Sequence, residues 1–292
     1  MRSGTPSSRE QRELFAVKCG DGDAGKRSSG RNGLTFCRKE SYPTGMAAHL
    51  AMRSGNPVLG EGTFGRERVL PGAETMTIAG TVNKTALIFA ILLVTATFTW
   101  NQGPAAGALI LIGVIGGLVV ALVTVFKKTW APMTAPIYAG LEGLALGGIS
   151  AVFESRYPGI VSQAVFLTFG TLAALLIAYR SGWIKATENF KLGVVAATGG
   201  IFFVYLISFV LSFFGVSIPL IHGSGVFGIL FSLFVVVIAA LNLVLDFDFI
   251  EQGAEQGAPK YMEWFAAFGL MVTLIWLYLE VLRLLSKLQQ RR

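Results

Sequence analysis

Beyond residue 80 the chain is a succession of long apolar runs, each ended by a few polar, glycine or proline residues. The runs fall at about 83–101, 105–126, 132–153, 160–180, 190–214, 225–247 and 261–285. Each is close to the roughly 20 residues that a helix needs to cross about 30 Å of hydrocarbon. The pattern therefore predicts an all-α integral membrane protein, a seven-transmembrane-helix bundle. The breaks are made of turn formers and interfacial charge, among them Gly103-Pro104, Lys127-Lys128 with Pro132, Pro158-Gly159, and Gly253 with Pro259. The thinnest is Asn101-Gln102-Gly103-Pro104, between the first two runs.

Ahead of the runs the pattern is different. Residues 1–72 are polar and glycine-rich, and 1–48 in particular offer too little apolar surface to order themselves, so a disordered N-terminal extension is expected before a membrane domain over 73–292. No signal-peptide apolar core occurs in it. Met46 and Met52 precede Arg53-Ser-Gly-Asn-Pro-Val-Leu59, so one reading of this extension is that translation begins at one of them.

Composition narrows the function. Hydrophobic residues make up 53% of the chain and charged residues 14%, where a soluble domain carries about 25% charged. Residues 1–72 hold 12 of the 24 Lys and Arg and 7 of the 17 Asp and Glu, leaving 12 basic and 10 acidic for the remainder. The basic balance thus belongs to the extension, and no Lys/Arg stripe marks a nucleic-acid partner. Cys19 and Cys37 also lie there, so the apolar part has no disulfide framework or cysteine metal site. No phosphate loop, nucleophile elbow, zincin helix or dinucleotide fingerprint occurs. The expectation is a protein without cofactor that is not an enzyme and works in the bilayer.

Basic residues near the run ends set the orientation. With the N-terminus cytoplasmic, Lys84, Lys127, Lys128, Arg180, Lys185, Lys191 and Lys260 fall inside and Arg156 outside. Seven crossings then place Arg283, Lys287, Arg291 and Arg292 outside, unless one segment is re-entrant and the tail returns. Trp100, Trp130, Trp183 and Trp264 near run ends form an interfacial belt. Two small-residue stripes at four-residue spacing, Gly113-Gly117-Ala121 and Ala139-Gly143-Gly147-Ala151, predict close helix contacts within the lipid.

Ionisable residues at membrane depth are costly and mark pathways, relays or pairs. Glu142, about ten residues into the third run with Tyr138 one turn before it, is a candidate midplane cation or proton site; the plainer reading is a carboxyl that hydrogen-bonds a neighbouring helix. Asp246 and Asp248 lie near the end of the sixth run, two residues and so about 200° apart on a helix. Asn242, one turn before Asp246, adds a second oxygen of the kind hard cations prefer; the plainer reading leaves both aspartates hydrated in the headgroup zone. Glu280 and Arg283, three apart in the last run, are placed to form a simple ion pair. His222 reads as a loop residue.

The order of several motifs resembles the Bax inhibitor-1 family, the transmembrane Bax-inhibitor-motif proteins, and its bacterial YccA-like branch. They are Arg53-Ser-Gly-Asn-Pro-Val-Leu59, Tyr138-Ala-Gly-Leu-Glu142-Gly-Leu-Ala-Leu-Gly-Gly-Ile-Ser150, Gly228-Ile-Leu-Phe-Ser232, Asp246, Glu255-Gln-Gly257 with Tyr261, and Leu277-Tyr-Leu-Glu-Val-Leu-Arg283, across about 52–288. The resemblance implies seven helices with the last one central, in a bacterial inner membrane, and a pH-modulated cation leak, chiefly of Ca²⁺. It also implies a proton-sensing aspartate pair. The first member corresponds to Asp246, but the second position is Met271, so a substitute partner would come from Asp248, Glu142 or Glu280. Some YccA-like relatives resemble modulators of membrane-bound AAA proteases, and this gives the alternative function of a non-transporting regulator that binds such a protease or another membrane protein.

Overall fold

A computed structural model describes residues 74–102, 106–215, 223 and 225–291. The expected disordered extension, its cysteines and His222 lie outside the described residues. Seven helices long and apolar enough to cross a membrane are present there: α1 Ile78–Trp100, α2 Gly107–Phe126, α3 Ala131–Arg156, α4 Ile160–Arg180, α5 Glu188–Phe213, α6 Val226–Glu255 and α7 Met262–Gln290. A single 3₁₀ turn, Lys128–Trp130, leads into α3.

The helices start and stop for local reasons. The Thr77 side chain accepts from Gly80 N, so α1 begins at Ile78 rather than near residue 83. Thr187 caps α5 in the same way. The Glu154 carboxylate reaches past the end of α3 and accepts from Gly159 N at 2.6 Å and Val161 N at 3.1 Å. A negative group thereby meets the unsatisfied donors and positive end of α4. Gly159, at φ 85°, makes the reversal between the two helices. The sixth run extends beyond its expected end at 247, continuing unbroken as helix to Glu255.

The last helix is central. In α7 the most apolar stretch is 78% buried by protein, against 17% for α1, α2, α4 and α5. Phe265, Phe268, Met271, Leu277 and Leu282 of α7 are fully buried in one apolar core shared with α1, α3, α4 and α6. Tyr138 of α3 packs edge-on against Phe268, with centroids 4.9 Å apart. The outward faces of the surrounding helices carry exposed Leu, Val, Ile and Phe, as a lipid-facing surface requires.

The small-residue stripes are where the backbones come closest. A Cβ on Gly143 or Gly147 would overlap the Leu92 or Ala96 carbonyl of α1. One on Gly113 of α2 would lie 2.6 Å from Leu141 O of α3. Without a side chain at these positions the helices gain contact that hydrophobicity cannot supply in lipid.

Contacts at the helix ends define two ends of the bundle. At one, Met76 N donates to Ala258 O at 2.7 Å and Thr75 pairs antiparallel with Pro259, strapping the chain before α1 to the α6–α7 loop. Lys128 stands over the Phe265 ring at this same end, and Lys191 of α5 reaches Asp248 of α6. At the other, Lys287 Nζ near the end of α7 donates to Gly228 O and Ser232 Oγ near the start of α6, at 3.1 and 2.8 Å. Helix α7 thus runs the full length of the bundle. The re-entrant alternative is not what is found, and Arg283 and Lys287 lie at the end opposite Lys84, Lys128, Lys191 and Lys260.

Candidate functional site

In the C-terminal half of α6, Asn242 and Asp246 are buried polar groups one turn apart, 1% and 0% exposed. Asp246 is nine residues before Glu255, so it lies about 13 Å in from that helix end at 1.5 Å per residue. Asn242 Nδ2 donates to Ile238 O and to Thr198 Oγ1 of α5, both at 2.8 Å. Its Oδ1 is buried and accepts from no donor among the described residues. A buried amide oxygen in that state costs about 1–3 kcal/mol, and it is the kind of oxygen that a water or a hard cation satisfies.

Asp248 faces another way, as the 200° rotation along unbroken helix requires. Its Oδ2 accepts from Lys191 Nζ at 2.8 Å and from Gln252 Nε2 at 2.6 Å. Lys191, almost wholly buried, also stands 3.5 Å from Glu188 one turn earlier in α5. Asp248 therefore ties α6 to α5 by charge and is not idle in the headgroup zone.

Glu142 is half-buried in α3. Its Oε2 fills the space left open at Gly117 of α2, where a Cβ would lie 2.7 Å away. The absent side chain is what gives this carboxyl room at mid-depth. Among the described residues no ion pair engages it.

Glu280, 2% exposed, belongs to a third setting. Arg283 Nη1 donates to Glu280 Oε1 at 2.9 Å and to Tyr205 Oη of α5 at 2.7 Å, and Tyr205 Oη donates to the same carboxylate at 3.0 Å. The guanidinium also stands 5.2 Å from the Tyr205 ring centroid. Tyr205 was not legible in the sequence, because it arrives from another helix. Glu142, Asp246 and Glu280 thus occupy three separate environments. Met271, where the resemblance would put a second aspartate, is fully buried among apolar side chains of the core.

Sequence reasoning also passed over Glu263, which is 0% exposed in the first turn of α7. Its carboxylate accepts from Lys84 Nζ of α1, from Thr77 N and Oγ1 at 2.9 Å, and stands 3.2 Å from Lys260 Nζ. Gly80 provides the room, since a Cβ there would strike the carboxylate. The available signal was that Lys84 and Glu263 sit just inside the ends of two runs on the same predicted side. Among the described residues no group of three or more His, Cys, Asp and Glu is placed to hold a metal ion.

Comparison with known proteins matches the present chain to one family. No curated relative and no solved structure matches it. A family model described as Bax inhibitor 1 like matches residues 43–290, which takes in every helix of the bundle. With the apolar helices and central α7, this match places the chain in the Bax inhibitor 1 like family, as a multi-pass membrane protein.

Proposed function

We propose that the protein is a pH-modulated cation leak of a bacterial inner membrane, with Ca²⁺ as its chief ion and the N-terminus in the cytoplasm. The observation that carries this reading is the pair Asn242 and Asp246, an amide oxygen to which none of the described residues donates and a carboxyl, both buried one turn apart inside a membrane-spanning helix. Polar groups at that depth are costly to keep unless they serve a path or a relay. Oxygen ligands of this type suit a hard cation, and carboxylates lining a pathway favour cations over anions. Asp246 is the titrating group of the gate, Asn242 its auxiliary ligand and Glu142 a second carboxyl at mid-depth. Asp248 acts by position, holding α5 against α6 through Lys191. The gathering of Lys84, Lys128, Lys191 and Lys260 at one end supports a cytoplasmic N-terminus by the positive-inside rule. Cation flux through the purified protein in liposomes, followed across a pH series, tests the reading.

A second reading has its own observation. Because residues 75 and 76 are strapped to the α6–α7 loop, the preceding tail is attached to a fixed point of the bundle. That suits a non-transporting modulator whose tail is gripped by a membrane-bound AAA protease or another membrane protein. It gives no reason for Asn242 and Asp246 to be buried. In both readings the protein is not an enzyme.

A further inference from the structure

A cavity of about 380 Å³ opens on the side of the bundle between α1 and α4 and is floored by α3 and α7. Its floor holds Leu146 and Ser150 of α3 with Leu274 and Tyr278 of α7, and its rim holds Leu93, Trp100, Val165 and Phe169. One edge of the rim is closed by the Phe89–Phe169 ring contact, with centroids 5.4 Å apart. From there the groove follows α1 to Trp100, eleven residues on, a length of about 16 Å. That is about half of the roughly 30 Å hydrocarbon thickness, the depth of one leaflet. It ends at a tryptophan closing a membrane helix, the level where aromatic side chains meet headgroups.

The chemistry of the lining selects the occupant. Every hydroxyl on it already has a partner within the protein: Thr97 Oγ1 donates to Leu93 O at 2.7 Å, Thr168 Oγ1 to Ala164 O at 2.8 Å, and Ser150 and Tyr278 share a hydrogen bond of 2.6 Å. The remaining lining is apolar, so hydrocarbon suits it better than a polar ligand does. The mouth is continuous with the lipid-facing surface, since Val94 on α1 and Phe166 on α4 beside it are 70% and 78% exposed. Hydrocarbon reaches the mouth without any dehydration cost, whereas an empty apolar cavity forfeits the dispersion contacts of its lining. We propose that this groove is a binding site for one acyl chain of a bilayer phospholipid, entering sideways between α1 and α4 with its headgroup at the level of Trp100 and its methylenes against the Ser150–Tyr278 pair. The site stands apart from the ion-leak reading and depends only on the bundle lying in a membrane.

The test uses the full chain in vesicles of phosphatidylcholine, a fraction of which carries a photoactivatable diazirine midway along one acyl chain. After irradiation, labelled positions are mapped by peptide mass spectrometry. Labelling is expected on the exposed Phe202 and Phe203 of α5, as for any lipid-facing surface, and also on the floor at the buried Leu146 and Ser150 or the partly buried Tyr278. In the double variant Leu93→Trp/Val165→Trp, which fills the rim from lipid-exposed positions, floor labelling should be lost and α5 labelling retained, the latter showing that the bundle is inserted. Phe166→Trp, beside the groove but outside it, should leave both unchanged. An unlabelled floor in the wild type, floor labelling that survives the filled rim, or labelling by a free diazirine fatty acid but not by the phospholipid would each overturn the proposal.

Discussion

Lys191 Nζ at the start of α5 lies 2.8 Å from Asp248 Oδ2 near the end of α6, with the lysine side chain 4% exposed and the aspartate 20%. The two residues are far apart in sequence and are joined only by folding, so the pair is part of what seats α5 on the bundle. Asp248→Asn leaves a buried ammonium short of its counter-charge and is predicted to destabilise by roughly 1–3 kcal/mol. Adding Lys191→Met should recover part of that loss, with a coupling between the sites of about 0.5–3 kcal/mol. Thermal unfolding of the four proteins in detergent measures it. Losses that simply add would show the contact to be energetically idle.

Glu263 is the most completely enclosed carboxyl of the α7 entrance, and Lys84, Thr77 and Lys260 all turn toward it. Removing one partner of a buried charged pair costs about 3–5 kcal/mol, so Glu263→Gln is expected to be far more damaging than Glu251→Gln, on the exposed end of α6. The same substitution should loosen the strap at residues 75 and 76. Limited proteolysis with N-terminal sequencing checks this: new cleavage between 74 and 84 in the variant is the predicted result, and an unchanged digest with an unchanged melting point contradicts it.

The glycines divide by what faces them. Gly147→Ala drives a Cβ into the Ala96 backbone, and overpacking of this kind costs about 1–3 kcal/mol. Gly170 and Gly200 have no atoms within 4 Å of a built Cβ. Alanine there should be neutral or stabilising by up to about 1 kcal/mol, from helix propensity alone. Melting points of the three variants in one detergent give the comparison, and equal effects at Gly147 and Gly170 would mean that the α1–α3 contact is looser than described.

The stripes that make this contrast were legible in the sequence, because close helix approach in lipid needs small residues at fixed spacing. The helices themselves were legible as apolar runs of spanning length. What was not legible was where polar residues extend a helix: Thr77 starts α1 early because it caps it, and α6 continues through Asp248 and Gln252 because those side chains find partners. Nor could spacing along one helix show that Tyr205 joins Glu280, that Thr198 meets Asn242 or that Lys84 meets Glu263, since each partner comes from another helix. The candidate residues were thus visible one at a time, and their separation into distinct environments was not.

Because α7 runs the length of the bundle, its C-terminal end and the α6–α7 loop lie on opposite sides. A single cysteine at Gln290 should react with a membrane-impermeant maleimide only from the outside of intact cells, and one at Gln256 only after the membrane is opened. Reaction of both from the same side would contradict the seven-crossing arrangement.

In the proposed cation path Asp246 is the titrating group, with Asn242 as its neighbour on the same helix face. Asp246→Asn removes the charge at nearly constant volume, so the measurement is Ca²⁺ flux into liposomes against pH for the wild type, Asp246→Asn and Asp248→Asn, compared at matched protein incorporation. The expected result is a pH-dependent flux in the wild type, a flux in Asp246→Asn that no longer varies with pH, and a retained pH dependence in Asp248→Asn. A flux-versus-pH curve that both substitutions leave unchanged, or no flux from the folded wild type at any pH, would contradict it.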